Sequence, residues 1–219
     1  MNITSGNFGV ILGGTANTTS GVHSTILNGK NNLATNTYSL IASGVRNLAN
    51  EMGATVLNGN RNSGSGQYST VINGTGNTAT ANFSTIIGGK ANTATGVYSF
   101  IGGGSANTVS GLHSFAGSGF RNSATNIYSI IVGGRENRAT GIRSIVVGSM
   151  YNMASGQASF IGGGLANSAT NVYSVVVGGL YNLSSALHSF VGVGRSNSVI
   201  GSFSSIIGVS ANTVNADHS

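Results

Sequence analysis

The chain has 219 residues, of which 36 are Gly and none is Pro, Cys or Trp; only 5% are charged, and the formal net charge is +6. This composition excludes disulfides, thiolate metal sites and a collagen period, and it suits neither an ordinary enzyme nor a disordered tail. No run approaches the ~18 apolar residues of a membrane helix, and MNITSGNF has no basic-then-apolar leader, so membrane insertion is not expected.

Asn recurs every 15 residues from Asn2 to Asn212, through Asn77, Asn92, Asn107, Asn122 and Asn137, with no insertion. An unbroken period of this length marks a solenoid in which each copy forms one coil. The fold class expected is all-β, a parallel β-roll or β-solenoid with 15-residue coils. It forms one continuous domain over 1–219, with 14 complete copies and a partial one. Parallel strands spaced ~4.8 Å apart predict a rod of roughly 65–70 Å. A helix is excluded, because apolar residues do not recur at three and four and each copy carries Gly pairs.

Positions are named below by the copy Phe83 to Val97, FSTIIGGKANTATGV. Residues 83–87 read as a strand: Ser84 and Ile86 face the interior, whereas Phe83, Thr85 and Ile87 face outward. The outward set is unexpectedly apolar, with a ring at 12 of 15 Phe83 places, including Tyr98, Tyr128 and Tyr173. The Ile87 place carries residues such as Ile87, Val132 and Val147. Phe replaces Thr85 at Phe100, Phe115, Phe160 and Phe190, and each time the residue two along is Gly (Gly102, Gly117, Gly162, Gly192). A strand apolar on both faces is covered on both, and volume is traded where packing is tight. These residues are the expected subunit interface.

The Gly89 place is Gly in 12 of 14 copies, the exceptions being Ser149 and Val209, and reads as a tight corner. Gly runs such as Gly102-Gly103-Gly104 lack the following helix of a phosphate loop. Seven of the nine basic residues, Lys30, Arg46, Arg61, Lys90, Arg121, Arg135 and Arg195, fall at the Lys90 place or the next. Such a line either keeps the corner solvated or binds an anionic glycan through screened charge. Nucleic acid is not an expected partner, because the rings that would stack on bases are assigned to the buried face.

The Asn92 place reads as a structural ladder of stacked side-chain amides. Residues 92–95 form a second strand, with Asn92 and Ala94 inward and Thr93 and Thr95 in solvent. Its Thr-x-Thr face raises ice binding as an alternative, although Leu33, Leu48, Arg138, Met153 and Leu183 interrupt it. The Gly96 place holds Gly eight times and Asn three times (Asn36, Asn126, Asn171), which predicts a positive-φ corner.

No catalytic residue, cofactor or metal site is assigned, and the chain reads as no enzyme. Its only carboxylates are Glu51, Glu136 and Asp217, which form no acid/base pair. His23-Ser24, His113-Ser114 and His188-Ser189 are strand neighbours, which point to opposite faces.

The pattern S-x-[IV]-x-G-G-x-x-N-x-A-[TS]-G, as in Ser84 to Gly96, resembles the head repeats of YadA-like trimeric autotransporter adhesins and is similar to repeats of viral and phage fibre proteins. The resemblance covers essentially the whole chain. It implies a left-handed roll whose three copies pack along a threefold axis, in a non-enzymatic surface fibre or adhesin head. The location implied is extracellular, on a cell or virion, with a host surface receptor or anionic glycan as partner. Head repeats are commonly one residue shorter, and the sequence shows no neck, stalk or anchor. Since the first and last residues are both in phase, head-to-tail self-stacking into longer fibres is also an expectation.

Overall fold

A computed structural model describes residues 1–219. The chain is all-β, a parallel β-solenoid of about 14 turns with 15-residue coils. It divides into two compact units, 1–109 and 110–219. In the first unit, parallel two-residue strands from Val10–Ile11 to Phe100–Ile101 form one sheet, and strands from Ile3–Thr4 to Thr108–Val109 form a second. The second unit repeats this, with one sheet from Phe115–Ala116 to Ser205–Ile206 and another from Ser123–Ala124 to Thr213–Val214. Strand partners lie 15 residues apart throughout, as in Thr85↔Phe100 and Thr93↔Thr108. The Lys90 places add a third line of parallel bridges, such as Thr75↔Lys90 and Lys90↔Ser105.

The strands are shorter than the sequence pattern predicts: only Thr85–Ile86 of the stretch 83–87 is paired as strand. Backbone direction explains this. Strand amides donate forward to the next coil, Thr85 N–H to the Ser99 carbonyl at 2.9 Å and Thr93 N–H to the Asn107 carbonyl at 2.8 Å. Phe83 and Ala91 donate backward instead, to the carbonyls of Gln67 at 2.8 Å and Thr75 at 2.9 Å. Reversal requires a left-handed backbone, and Phe83 (φ 58°) and Ala91 (φ 54°) adopt it. A non-Gly residue held there costs on the order of 1 kcal/mol. Ring stacking at the Phe83 place, about 0.5–1.5 kcal/mol per pair, offsets this. Phe83 lies 4.9 Å from the Tyr98 ring at an interplanar angle of 6°.

Gly89 is a tight corner as expected and takes positive φ (91°), and its exceptions Ser149 (φ 64°) and Val209 (φ 61°) keep the conformation. The Gly96 corner does not take positive φ. Gly21 and Gly66 at that place have ordinary φ, but a Cβ on either would sit 2.1 Å from a carbonyl oxygen of the next coil, that of Asn36 or Ala81. Glycine is used there for close approach of coils. Asn serves at the same place by capping its own turn: the Asn126 Oδ1 accepts the Ile127 N–H at 2.9 Å, and its Nδ2 donates to the Thr140 carbonyl at 3.0 Å.

The interior matches the alternation. Ser84, Ile86, Asn92 and Ala94 are fully buried, whereas Thr85 and Thr93 face outward and are only partly covered. The Ser84 Oγ donates to the Ala81 carbonyl at 2.6 Å, closing the turn before the strand. The asparagine ladder is present but differs from a stack of paired amides. Asn92 Oδ1 accepts the backbone N–H of Asn107 at 2.9 Å, and its Nδ2 donates to the carbonyls of Gly88 and Gly104, both at 3.0 Å. One side chain thus satisfies three backbone groups on two neighbouring coils.

Replacing Asn92 by Ala strands those groups, and a buried unsatisfied partner costs about 1–3 kcal/mol. Asn92→Ala is therefore expected to lower the urea midpoint clearly, and Thr93→Ala, on the wet side of the same strand, to leave it nearly unchanged. Thr19 occupies an Ala94 place with its hydroxyl fully buried and unpaired, whereas Val109 and Val199 fill that place without strain in φ. Thr19→Val should raise stability by about 1 kcal/mol, read from the same denaturation curves.

Candidate functional site

Neither unit encloses a pocket, and no three His, Asp or Glu side chains come together. Function has to be sought on outer surfaces, of which three are distinct.

The first is the outward side of the first sheet. Ile87, Val132 and Val147 are exposed, Val132 to 49%, and Phe100, Phe115, Phe160 and Phe190 are half-buried. Tyr98, Tyr128 and Tyr173 are exposed on turns in the left-handed conformation, so the corner aims their rings, not strand alternation. These rings belong to stacks that follow the coils. Phe8, His23 and Tyr38 stack at 4.9 and 5.3 Å, and Tyr173, His188, Phe203 and His218 at 4.8, 5.0 and 5.2 Å. Beside the rings lie apolar residues that strand reasoning overlooked, all exposed: Val22 and Val97 in the first unit, and Leu112, Ile127, Ile142 and Leu187 in the second. Their signal was the apolar residue preceding the ring in many copies.

The Phe–Gly trade has an account inside one chain. A Cβ added at Gly162 would lie 3.4 Å from Cε1 of Phe160 and only 2.3 Å from the carbonyl oxygen of Val177. The ring covers the glycine, and the backbone sits close to the next coil, without any second subunit.

The second surface is the outward side of the second sheet. Thr78, Thr93 and Thr108 align in adjacent coils, but Leu33, Arg138 and Met153 project from the same ladder and are exposed.

The third is the corner carrying the basic residues. Lys30, Arg46, Arg61, Lys90, Arg121, Arg135 and Arg195 are all exposed. Lys30, Lys90, Arg135 and Arg195 stand on the bridge ladder, and Arg46, Arg61 and Arg121 at the left-handed residue after it. The expectation that no ring interleaves with this line is overturned. Phe120 pairs with Arg135 on the ladder, and Tyr151 and Tyr181 occupy the adjoining left-handed place. The Arg121 guanidinium lies 4.8 Å from the Phe120 ring centre, and that of Arg135 lies 5.6 Å from Phe120 and 5.9 Å from Tyr151. The rings were missed because this place takes almost any residue, so Phe120 and Tyr151 form no periodic signal. Glu136 adds the one ion pair, accepting from Arg135 Nε at 3.2 Å.

Searches with family models and against curated proteins return no match for the sequence.

Gly162→Val should cost roughly 1–3 kcal/mol by overpacking. Adding Phe160→Thr should recover only the smaller part, since the Val177 carbonyl, the nearer obstacle, remains. Thermal melts of the single and double variants measure this coupling; full recovery would show that the ring alone fills the space.

Proposed function

We propose that the chain is a non-enzymatic structural and adhesive module of a surface fibre, assembled as a homotrimer through the outward side of its first sheet. The observation that carries this is the recurrent exposure of apolar side chains on that side of each unit, Leu27, Leu57 and Ile87 in the first and Val132, Val147 and Val177 in the second, beside the exposed ring stacks. A single chain leaves these in water, whereas soluble monomers rarely expose contiguous apolar patches of more than a few hundred Å². Self-association suits this face because a symmetry axis sets each coil of one copy beside the same coil of another, so that the columns match layer by layer.

The threefold copy number, the left-handed roll and the location on a cell or virion follow from the resemblance of the Ser84 to Gly96 pattern to adhesin heads and fibre repeats. An adhesive role suits a surface without a pocket, since attachment works through extended contact. Head-to-tail stacking of such trimers would lengthen the fibre by the same strand pairing that joins coils.

Light scattering coupled to size exclusion is expected to give about 65 kDa, three copies of the 21.8 kDa chain. Replacing Ile87, Val132 and Val147 together by Thr should shift the mass toward one chain while the β-rich circular dichroism persists. A wild-type monomer at micromolar concentration would remove the assembly and the fibre reading with it.

A further inference from the structure

The Phe120 corner of the second unit differs in kind from the rest of the basic line. Elsewhere on the corner, as at Arg46 and Arg61, no ring lies against the cation. Here two guanidinium groups are laid against rings. Arg121 sits at 4.8 Å and Arg135 at 5.6 Å from Phe120, with Tyr151 at 5.9 Å beyond Arg135. A guanidinium held over a ring has already given up part of its rotamer entropy and still presents an N–H edge. That edge matches the two oxygens of a carboxylate or sulfate in a bidentate pair. Glu136 engages only Nε of Arg135, and the Arg135 side chain remains 54% exposed.

We propose that this corner, from Phe120 to Arg195, is a binding site for a linear acidic polysaccharide. Two features select a polymer. There is no pocket to enclose a small ligand. The ladder Phe120–Arg135–Met150–Leu165–Leu180–Arg195 is straight and continuous, and five coil steps of ~4.8 Å set its ends about 24 Å apart. The charge pattern selects a sparsely charged chain. Arg121 and Arg135 stand on neighbouring coils, Arg195 lies four coils beyond Arg135, and between them Leu180 and Tyr181 are exposed apolar surface, Tyr181 to 55%. Acid groups of the chain pair with the arginines, and the carbon-bound hydrogens of intervening sugar rings lie on Tyr181 and Leu180. Single-stranded nucleic acid is disfavoured because it needs successive free ring faces, and guanidinium groups already lie over Phe120 and Tyr151. The inference deepens the adhesive reading by naming a ligand class, but it rests on this corner alone and holds for any copy number.

The experiment measures affinity of the full chain, by calorimetry at physiological salt, for three probes: hyaluronate (one carboxylate per disaccharide), κ-carrageenan (one sulfate per disaccharide) and oligothymidylate (phosphate). One of the two polysaccharides is expected to bind best, which identifies the acid group. Arg121→Gln with Arg135→Gln should weaken that binding about tenfold, equivalent to 1.4 kcal/mol. Arg46→Gln with Arg61→Gln removes the same charge from the equivalent corner of the first unit and should weaken it less than about twofold, the loss expected of screened exposed charge. Phe120→Leu, which keeps every charge but removes the ring, should weaken it several-fold. Circular dichroism and native mass of each variant separate loss of the site from loss of fold or assembly. Equal losses for the two arginine pairs, an unaffected Phe120→Leu, preference for oligothymidylate, or no binding of either polysaccharide would each overturn the proposal.

Discussion

Every coil of this protein depends on one side chain satisfying the backbone of a corner. Where the chain leaves the Gly89 turn, backbone donors and acceptors of two coils come close with no strand to pair them. Asn92 and its equivalents accept an N–H from the next coil and donate to two carbonyls. Buried backbone groups must be paired, so the identity of this residue is far more restricted than that of its neighbours. Asp could not donate, and the extra methylene of Gln would have to be accommodated in a fully buried site.

The second constraint is the reversal of amide direction at the left-handed residues. Two such residues per coil, at the Phe83 and Ala91 places, divide the backbone into short segments, and the Gly89 place adds a third positive-φ corner. This is why strands are only two residues long although, within each unit, the pairing is continuous along each ladder. Left-handed corners also place rings one above another at the coil spacing, where stacking offsets their conformational cost. Stability thus comes from many small, nearly identical terms between neighbouring coils, as expected for a solenoid.

The interior is thin, built of Ser, Ile, Val, Ala and Asn, and the larger apolar side chains stand outside it. An ordinary domain would bury Phe, Tyr and Leu; here the coil has no room for them. Their exposure is the observation on which the proposed association rests. The basic corner escapes this logic, since its residues are chosen neither by the interior nor by the apolar face. At the Lys90 place and the next, the coil demands only a backbone conformation, so side chains there are free to vary and to serve a ligand.

By itself the sequence determined the 15-residue coil, the parallel pairing of copies, the buried Ser84, Ile86, Asn92 and Ala94 places and the tight corner at Gly89. All of these follow from periodicity and from residue types with a single physical use. It misled at Gly96, where glycine marks close approach of coils, and at Phe83, where a bulky ring occupies a conformation that residue preference argues against. It also hid the Phe120 corner. Only the tertiary structure decided these, because they depend on distances between coils: a carbonyl 2.1 Å from a missing Cβ, an amide turned toward the preceding coil, and a guanidinium laid on a ring from the neighbouring turn. Residue type and spacing along one chain carry no record of such contacts until the coils are stacked.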